Sequence, residues 1–138
     1  MPPPHPLTAA PSPCPLASAG ANYAPAIEPA VEAAKLGYQQ VLWVFGDNSQ
    51  ITEAGMMNFF AVLAQPDGSA ELVSPPTTTG MILPGVTRDS ILALARAHAD
   101  PANPLRVEGL PERLVVSERE ICMSEIRDAA KAGTLLEV

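Results

Sequence analysis

Two short segments constrain this chain more than any other part of it, ITEAGMMNFF at residues 51–60 and ILPGVTRDSI at residues 82–91. The first brings an acidic residue, Glu53, into an apolar run with the composition of a strand. The second contains a glycine turn that opens a helix close to Thr87. The fold must therefore place a carboxylate on a strand and an exposed start of a helix.

The spacing of apolar residues predicts a mixed fold, of the α/β or α+β class, without an internal repeat. Thr87 is expected to cap the first turn of its helix. Helices are predicted over Pro25–Leu36, Thr87–Ala99 and Met123–Ala132. Strands are predicted over Val41–Phe45, Asn58–Ala64, Ala70–Val73, Leu114–Val116 and Thr134–Val138, with a turn at Pro66–Gly68 and a loop over Pro75–Thr79.

The same patterns predict which side chains are buried and which are solvated. His98 lies on an apolar helical stripe without a spaced partner, so it is interpreted as a core or edge histidine. Glu118, Glu120 and Glu125 are interpreted as a solvated acidic surface. The buried stripe of the second helix is predicted to be Ile91, Leu94, Ala95 and His98, and that of the third helix Met123, Ile126 and Ala130.

Composition excludes several classes of function. The net charge is -7, the pI is about 4.6, and the eight basic residues are scattered, so nucleic acid is not an expected partner. No apolar run approaches the ~18 residues of a membrane span, and a membrane is not expected either. Cys14 and Cys122 have no metal-type spacing and indicate neither a zinc site nor a disulfide framework.

The first sixteen residues contain seven prolines, which obstruct both helix and sheet hydrogen bonding. Residues 1–20 are therefore expected to form a disordered leader, and residues 21–138 a domain. No Lys or Arg precedes Lys35, which argues against an Arg-rich presequence. A cytoplasmic location is expected, and a mitochondrial one is left open.

With Asn22-Tyr23-Ala24-Pro25 upstream, the two segments closely resemble the large domain of branched-chain amino acid aminotransferases. These are class IV enzymes that use pyridoxal phosphate. The resemblance covers roughly residues 21–138, and it implies a partial large domain of the class IV fold. It also implies amino transfer between leucine, isoleucine or valine and 2-oxoglutarate, in a family of homodimers.

The resemblance assigns roles to five residues. Glu53 pairs with the ring nitrogen of the cofactor, and a carboxylate there raises the proton affinity of that nitrogen. The N–H groups of Val86 and Thr87 and the Thr87 hydroxyl hold the phosphate, where free N–H groups and the helix dipole both favour an anion. Leu83 packs on the ring face, and Tyr23 hydrogen-bonds the ring hydroxyl oxygen.

The family lysine that bonds to the cofactor and moves the substrate proton is missing. It lies five residues before the tyrosine, a position that Ser18 occupies here, and neither Lys35 nor Lys131 matches it. The smaller N-terminal domain of the family and the Gly-Thr loop expected after Val138 are absent as well. A truncated or alternatively spliced product, inactive by itself, is therefore expected.

Two alternatives remain at this point. One is another class IV relative, a D-amino acid aminotransferase or an aminodeoxychorismate lyase, which usually departs from the Tyr38–Trp43 stretch. The other is a non-catalytic binding or interaction protein, which the missing lysine favours.

Overall fold

The computed structural model describes residues 20–138, with side chains from residue 26 onward. Its mixed helix and strand content confirms the predicted fold class. Three helices are described, α1 (Gly20–Lys35), α2 (Val86–Ala99) and α3 (Met123–Ala132), and a 3-10 helix spans Thr77–Thr79. The strands of the same region are β1 (Leu42–Phe45), β2 (Gln50–Ala54), β3 (Met57–Asn58), β4 (Ala61–Ala64), β5 (Ala70–Ser74), β6 (Leu114–Glu118) and β7 (Leu135–Glu137).

A four-stranded sheet in the order β6-β5-β4-β7 forms the centre of the fold. β4 runs antiparallel to β5 and to β7, whereas β5 and β6 are parallel. β5 is buried along its whole length because both faces of the sheet are covered. Successive side chains on a strand point to opposite faces, so Leu72 and Val73 belong to two different cores.

Each face of this sheet has its own apolar cluster. On one face, helix α2 packs through Ala95 against Leu72 and Leu114. On the other face, helix α3 packs beside the second sheet. That larger cluster contains Val44, Ile51, Phe59, Ala61, Leu63, Val73 and Ile121, with Met123, Ile126 and Ala129 of α3 against it.

The second sheet is an antiparallel meander of β1, β2 and β3. A two-residue turn at Gly55-Met56 joins β2 to β3, and Gly55 has φ +60°, as the first central residue of a type II′ turn requires. The sequence prediction placed Glu53 on a strand but gave that strand, β2, no bounds, because Gln50 and Thr52 interrupt its apolar character although both are buried. It also merged β3 and β4 into one strand over Asn58–Ala64.

The chain changes sheets between β3 and β4. Phe59 is buried, and its carbonyl accepts a 2.8 Å hydrogen bond from the hydroxyl of Ser74 rather than a sheet hydrogen bond. One continuous apolar stretch therefore contributes a strand to each of two sheets. Its hydrophobicity alone does not show where the first strand ends and the second begins. In the predicted loop over Pro75–Thr79, residues Thr77–Thr79 form a 3-10 helix.

Helix α2 begins one residue earlier than predicted and buries a different stripe. Its buried residues are Arg88, Leu92, Ala95 and His98, while Ile91 and Leu94 are 39% and 54% exposed. The predicted cap at Thr87 is wrong, because Gly85 is the N-cap residue and no side chain caps this helix. The stripe was misplaced because an arginine was not expected on a buried face.

The interpretation of His98 as a core histidine is confirmed. The side chain is 4% exposed, its Nδ1 accepts from the Val107 N–H at 3.0 Å, and its Nε2 lies 3.0 Å from the Pro111 carbonyl oxygen. An accepting Nδ1 places the ring proton on Nε2. His98 thus joins α2 to the loop before β6 and has both nitrogens occupied.

The predicted bounds of α3 are confirmed, and Gly133 ends the helix. Its packing face differs by one residue, because Ala129 and not the exposed Ala130 reaches the core. Cys122 is the N-cap residue and is a free thiol. Cys14 and nearly all of the predicted leader lie outside the described residues.

Candidate functional site

The β2–β3 hairpin positions Glu53. Thr52, the residue before it, is 3% exposed and donates from its hydroxyl to the Trp43 carbonyl at 3.1 Å. Trp43 donates in turn from its indole N–H to the Gly55 carbonyl at 2.8 Å. Because neighbouring side chains alternate across a strand, these contacts fix the hairpin and direct Glu53 to its other face.

Glu53 is a partly buried carboxylate, and its hydrogen bonds with the described residues come from neutral groups. Its Oε1 accepts from the Leu83 N–H at 3.0 Å and from the Asn58 amide nitrogen at 3.3 Å. None of the ion pairs in the described residues includes it. Burial raises the pKa of Glu53 above its ordinary value, and the Leu83 N–H opposes that rise in part. The site therefore disfavours an unpaired negative charge and favours a cationic ligand.

The start of α2 has the opposite electrostatic character, because a helix N-terminus carries a partial positive charge. The first N–H groups of a helix have no intrahelical acceptor, and here no side chain caps them. Val86 is 84% exposed and Thr87 is also exposed. Exposed N–H groups at the positive end of a helix dipole, with a hydroxyl beside them, can bind an anion such as phosphate.

The Leu83–Gly85 segment brings the two features together. Leu83 donates its N–H to Glu53, and its carbonyl accepts from the Asn58 amide at 2.8 Å and from the Gly85 N–H at 2.9 Å. Gly85 is the N-cap residue of α2. The Glu53 carboxylate and the start of α2 are thus joined by three consecutive residues.

The structure brings together four of the five predicted site residues: Glu53, Leu83, Val86 and Thr87. For Tyr23 it describes only the backbone, which lies in α1. Ser18 lies outside the described residues. The sequence analysis assigned no role to Asn58, although the residue belongs to the motif that was quoted. The signal that was available was its position, opposite Glu53 across a two-residue turn.

Arg88, the residue after Thr87, faces inward and was also missed. It is 4% exposed and donates to Ser74 Oγ at 3.1 Å, to the Pro75 carbonyl at 2.8 Å and to Glu118 at 2.8 Å. Arg96 donates to the other oxygen of Glu118 at 2.6 Å. Mainly through Arg96, and also through Arg88, the pKa of Glu118 is lowered. This pairing anchors the first turn of α2 to the loop after β5 and to β6.

A second charged network corrects the acidic-surface interpretation further. Arg119 contacts both oxygens of Glu71 at 2.9 Å and donates to Glu125 at 2.6 Å. Glu118 and Glu125 are therefore ion-paired, and of the predicted solvated cluster only Glu120 keeps an exposed side chain without an ion pair among the described residues. The hydrogen bonds from Arg119 lower the pKa of Glu71.

Among the described residues, no group of three or more His, Cys, Asp or Glu is placed to hold a metal ion. In the same part of the chain no helix has both the length and the apolar character needed to cross a bilayer.

The carboxylate of Glu53 and the start of α2, joined through one loop, are the two features on which the predicted pyridoxal phosphate site rests. A family model described as amino-transferase class IV matches residues 7–134, so the chain belongs to the class IV aminotransferases. The predicted family is confirmed.

Two relatives are from Saccharomyces cerevisiae, both named branched-chain-amino-acid aminotransferase. The mitochondrial one is 48% identical over 119 residues, which make up 86% of this chain and 28% of the relative. The cytosolic one is 45% identical over 119 residues, 86% of this chain and 29% of the relative. The chain thus spans less than a third of the length of these relatives.

Solved structures show the same relationship. The branched-chain amino acid aminotransferase of Escherichia coli superposes with a TM-score of 0.58 at 27% identity, over 86% of this chain and 33% of that one. The enzyme of Thermobaculum terrenum in its PLP-bound form gives a TM-score of 0.55 at 27% identity, over 81% and 30%. This chain is therefore similar to about a third of each of these larger proteins.

Proposed function

We propose that this chain carries the cofactor-binding part of a branched-chain amino acid aminotransferase. The observation that supports this most is the direct connection between Glu53 and the start of α2 through Leu83 and Gly85. In a complete enzyme of this kind the substrates are leucine, isoleucine or valine together with 2-oxoglutarate, and the enzyme is a homodimer.

The residues present fit pyridoxal phosphate. Among the described residues no cationic side chain pairs with Glu53, and burial raises its pKa, so a cationic group beside the carboxylate would stabilise its charged form. The uncapped start of α2 provides N–H donors for a phosphate. When bound, pyridoxal phosphate supplies an electron sink for the bond changes at the substrate.

Each residue then has a defined task in holding that cofactor. The Glu53 carboxylate holds a proton on the ring nitrogen by favouring its charged form. The N–H groups of Val86 and Thr87, with the Thr87 hydroxyl, bind the phosphate. Leu83 supplies an apolar contact to the ring, and Tyr23 supplies a hydrogen bond to the ring hydroxyl oxygen.

We also propose that the chain alone does not transaminate. Ser18 stands where the family has its lysine, and a hydroxyl is too weak a base to move the substrate proton. Lys35 and Lys131 are 64% and 78% exposed on α1 and α3, where they pair with Glu32 and Asp128. A coupled assay with leucine and 2-oxoglutarate should show no turnover above free pyridoxal phosphate, and turnover above that level would contradict the proposal.

Cofactor binding tests the site itself, and we expect it to be weak. A helix start contributes only ~0.3–1 kcal/mol per favourable charge contact at an exposed position, and Asp89 adds a negative charge in the same turn. Glu53→Gln and Thr87→Ala should each weaken pyridoxal phosphate binding by about two- to fivefold, measured by calorimetric titration.

Two controls are matched to these variants. Glu120→Gln and Thr78→Ala change an exposed carboxylate and an exposed hydroxyl elsewhere on the surface, so they should bind as the wild type does. Equal affinity in the wild type, Glu53→Gln and Thr87→Ala would rule out the assigned site.

The compartment is a separate proposal. Relatives of similar identity carry cytosolic and mitochondrial names. We propose the cytoplasm, the compartment that the name of the cytosolic relative gives. Fractionation with antibody detection tests this, and recovery in mitochondria would contradict it.

A further inference from the structure

Asn58 contacts both halves of the candidate site. It pairs with Glu53 across the β2–β3 hairpin. Its Nδ2 donates to Glu53 Oε1 at 3.3 Å and to the Leu83 carbonyl at 2.8 Å. An amide nitrogen carries two hydrogens, so these two acceptors use both of them. The two acceptors also fix which way the amide is turned, because its oxygen cannot donate to either.

The oxygen end of the same amide lies against the start of α2. A Cβ atom built on Gly85 would lie 2.2 Å from Asn58 Oδ1, far inside van der Waals contact. Gly85 has φ -69°, which any residue adopts, so the glycine is required by the position of Asn58 and not by backbone geometry. The N-cap residue of α2 therefore packs directly on this side chain.

These contacts leave one face of the carboxylate open. Leu83 and Asn58 both donate to Glu53 Oε1, whereas no hydrogen bond from the described residues reaches Oε2. Oε2 is therefore the carboxylate oxygen that these two donors leave without a hydrogen bond. Without Asn58, only the Leu83 N–H would restrain the rotation of this group.

We propose that Asn58 is a positioning residue, whose amide holds the Glu53 carboxylate and the Leu83–Gly85 segment in one arrangement and thereby sets Oε2 toward the ring nitrogen. The role rests on the proposed function of the site. It predicts that Asn58 acts on the cofactor only through Glu53 and the Leu83–Gly85 segment, with no contact of its own.

The first test needs no cofactor. The side-chain carboxyl carbon of Glu53 is followed by NMR against pH in the full chain and in Asn58→Ala. Loss of a donor to the charged form should move the pKa of Glu53 further upward. Asn58→Ser, whose side chain is too short to reach both acceptors, should move it in the same direction and serves if the alanine variant does not fold.

Leu114→Ala is the matched control for stability. Leu114 is buried in the α2 cluster on the other side of the sheet, so its loss should lower the melting temperature and leave the Glu53 titration unchanged. An unchanged Glu53 pKa in both Asn58 variants would overturn the proposal, whatever happens to their stability.

The second test is a double-mutant cycle for pyridoxal phosphate binding. Asn58→Ala alone should weaken binding by about two- to fivefold, as Glu53→Gln does. In combination, the two changes should weaken binding by less than the product of their separate factors, because part of the Asn58 effect passes through Glu53. Fully additive free-energy losses would show that Asn58 does not act through Glu53, and its role in positioning that carboxylate would be wrong.

The two proposals can fail separately. If the wild type shows no saturable binding, the proposed function is wrong, and the Glu53 titration still decides whether Asn58 orients the carboxylate. If the wild type binds and the Asn58 variants bind equally well, the function stands and the positioning role fails.

Discussion

Glu53 and Glu71 are both carboxylates on strands, and their surroundings are opposite. Glu71 on β5 has a side chain that is 11% exposed, and Arg119 binds both of its oxygens. Its pKa is lowered by those hydrogen bonds. Glu53 on β2 has neutral donors only, and burial raises its pKa. A carboxylate whose charge is matched within the fold stabilises the fold, whereas one left without a cation marks a place for a ligand.

Helix α2 repeats this contrast within one turn. Arg88 points inward and is matched by Glu118, while Val86 and Thr87 point outward with unused N–H groups. The inward residue fixes the helix and the outward residues are free to bind. Three variants test whether the charge-matched residues stabilise the fold more than the site residues do. Their expected effects on stability decrease in the order given below.

The largest loss is expected for Arg88→Met. It leaves the Pro75 carbonyl and Ser74 without their buried donor and removes one partner of Glu118. Removing one partner of a buried ion pair lowers the unfolding free energy by ~3–5 kcal/mol. A loss of about 2–4 kcal/mol is expected for Arg88→Met, because Arg96 still binds Glu118. Urea unfolding measures the change. Arg113→Met removes an exposed, solvent-screened pair with Asp67 and should lower stability much less than Arg88→Met. Equal losses in the two variants would show that the buried pair is no more important than the exposed one.

Glu71→Gln should have a smaller effect that depends on pH. It removes the charged hydrogen bonds that Arg119 donates to Glu71, while the hydrogen bond from Arg119 to Glu125 remains. We expect the unfolding free energy at pH 7 to fall by about 1–2 kcal/mol. Since the folded pKa of Glu71 is lowered, its contribution is present above the ordinary value near ~4.3 and is lost as pH falls through the folded value. The gap between wild type and variant should therefore shrink below about pH 4. A gap that stays constant on acidification would contradict this.

Glu53→Gln should have the smallest effect, with the opposite sign. The raised pKa means that stability is greatest below the ordinary pKa and falls as pH rises through the folded value. Glutamine has nearly the same shape, keeps an acceptor for the Leu83 N–H and never becomes charged. The unfolding free energy at pH 7 should therefore rise by up to ~1 kcal/mol. The gain should vanish below about pH 4. Destabilisation at neutral pH would show that the Glu53 charge is matched within the fold after all.

Much of the fold could be predicted from local patterns. The bounds of α3 follow from helical spacing and a closing glycine, and the β4–β5 hairpin follows from Pro66-Asp67-Gly68 between apolar runs. Helix α2 was predicted, but its buried face was shifted. A buried arginine is rare, and only the three-dimensional contacts of Arg88 with Ser74, Pro75 and Glu118 explain why this one is inside.

The candidate site also has one part that could be predicted from the sequence and one part that could not. Glu53, Val86 and Thr87 could be named because their motifs resemble those of a known family. The link between them could not, because it consists of the backbone N–H and carbonyl of Leu83 and the side-chain amide of Asn58, which the sequence does not single out. The acidic residues Glu118 and Glu125 were misjudged because their arginine partners come from other turns or elements.

The indole hydrogen bond from Trp43 to Gly55 gives the hairpin its own optical signal. Trp43 is the only tryptophan in the sequence, and its N–H contacts the turn that follows Glu53 by two residues. Fluorescence emission therefore reports when this hairpin opens, separately from helix melting followed by circular dichroism. A pyridoxal ring bound beside Glu53 would absorb in the near ultraviolet and quench this emission by energy transfer. A single fluorescence measurement would therefore follow both the opening of the hairpin and the binding of the cofactor.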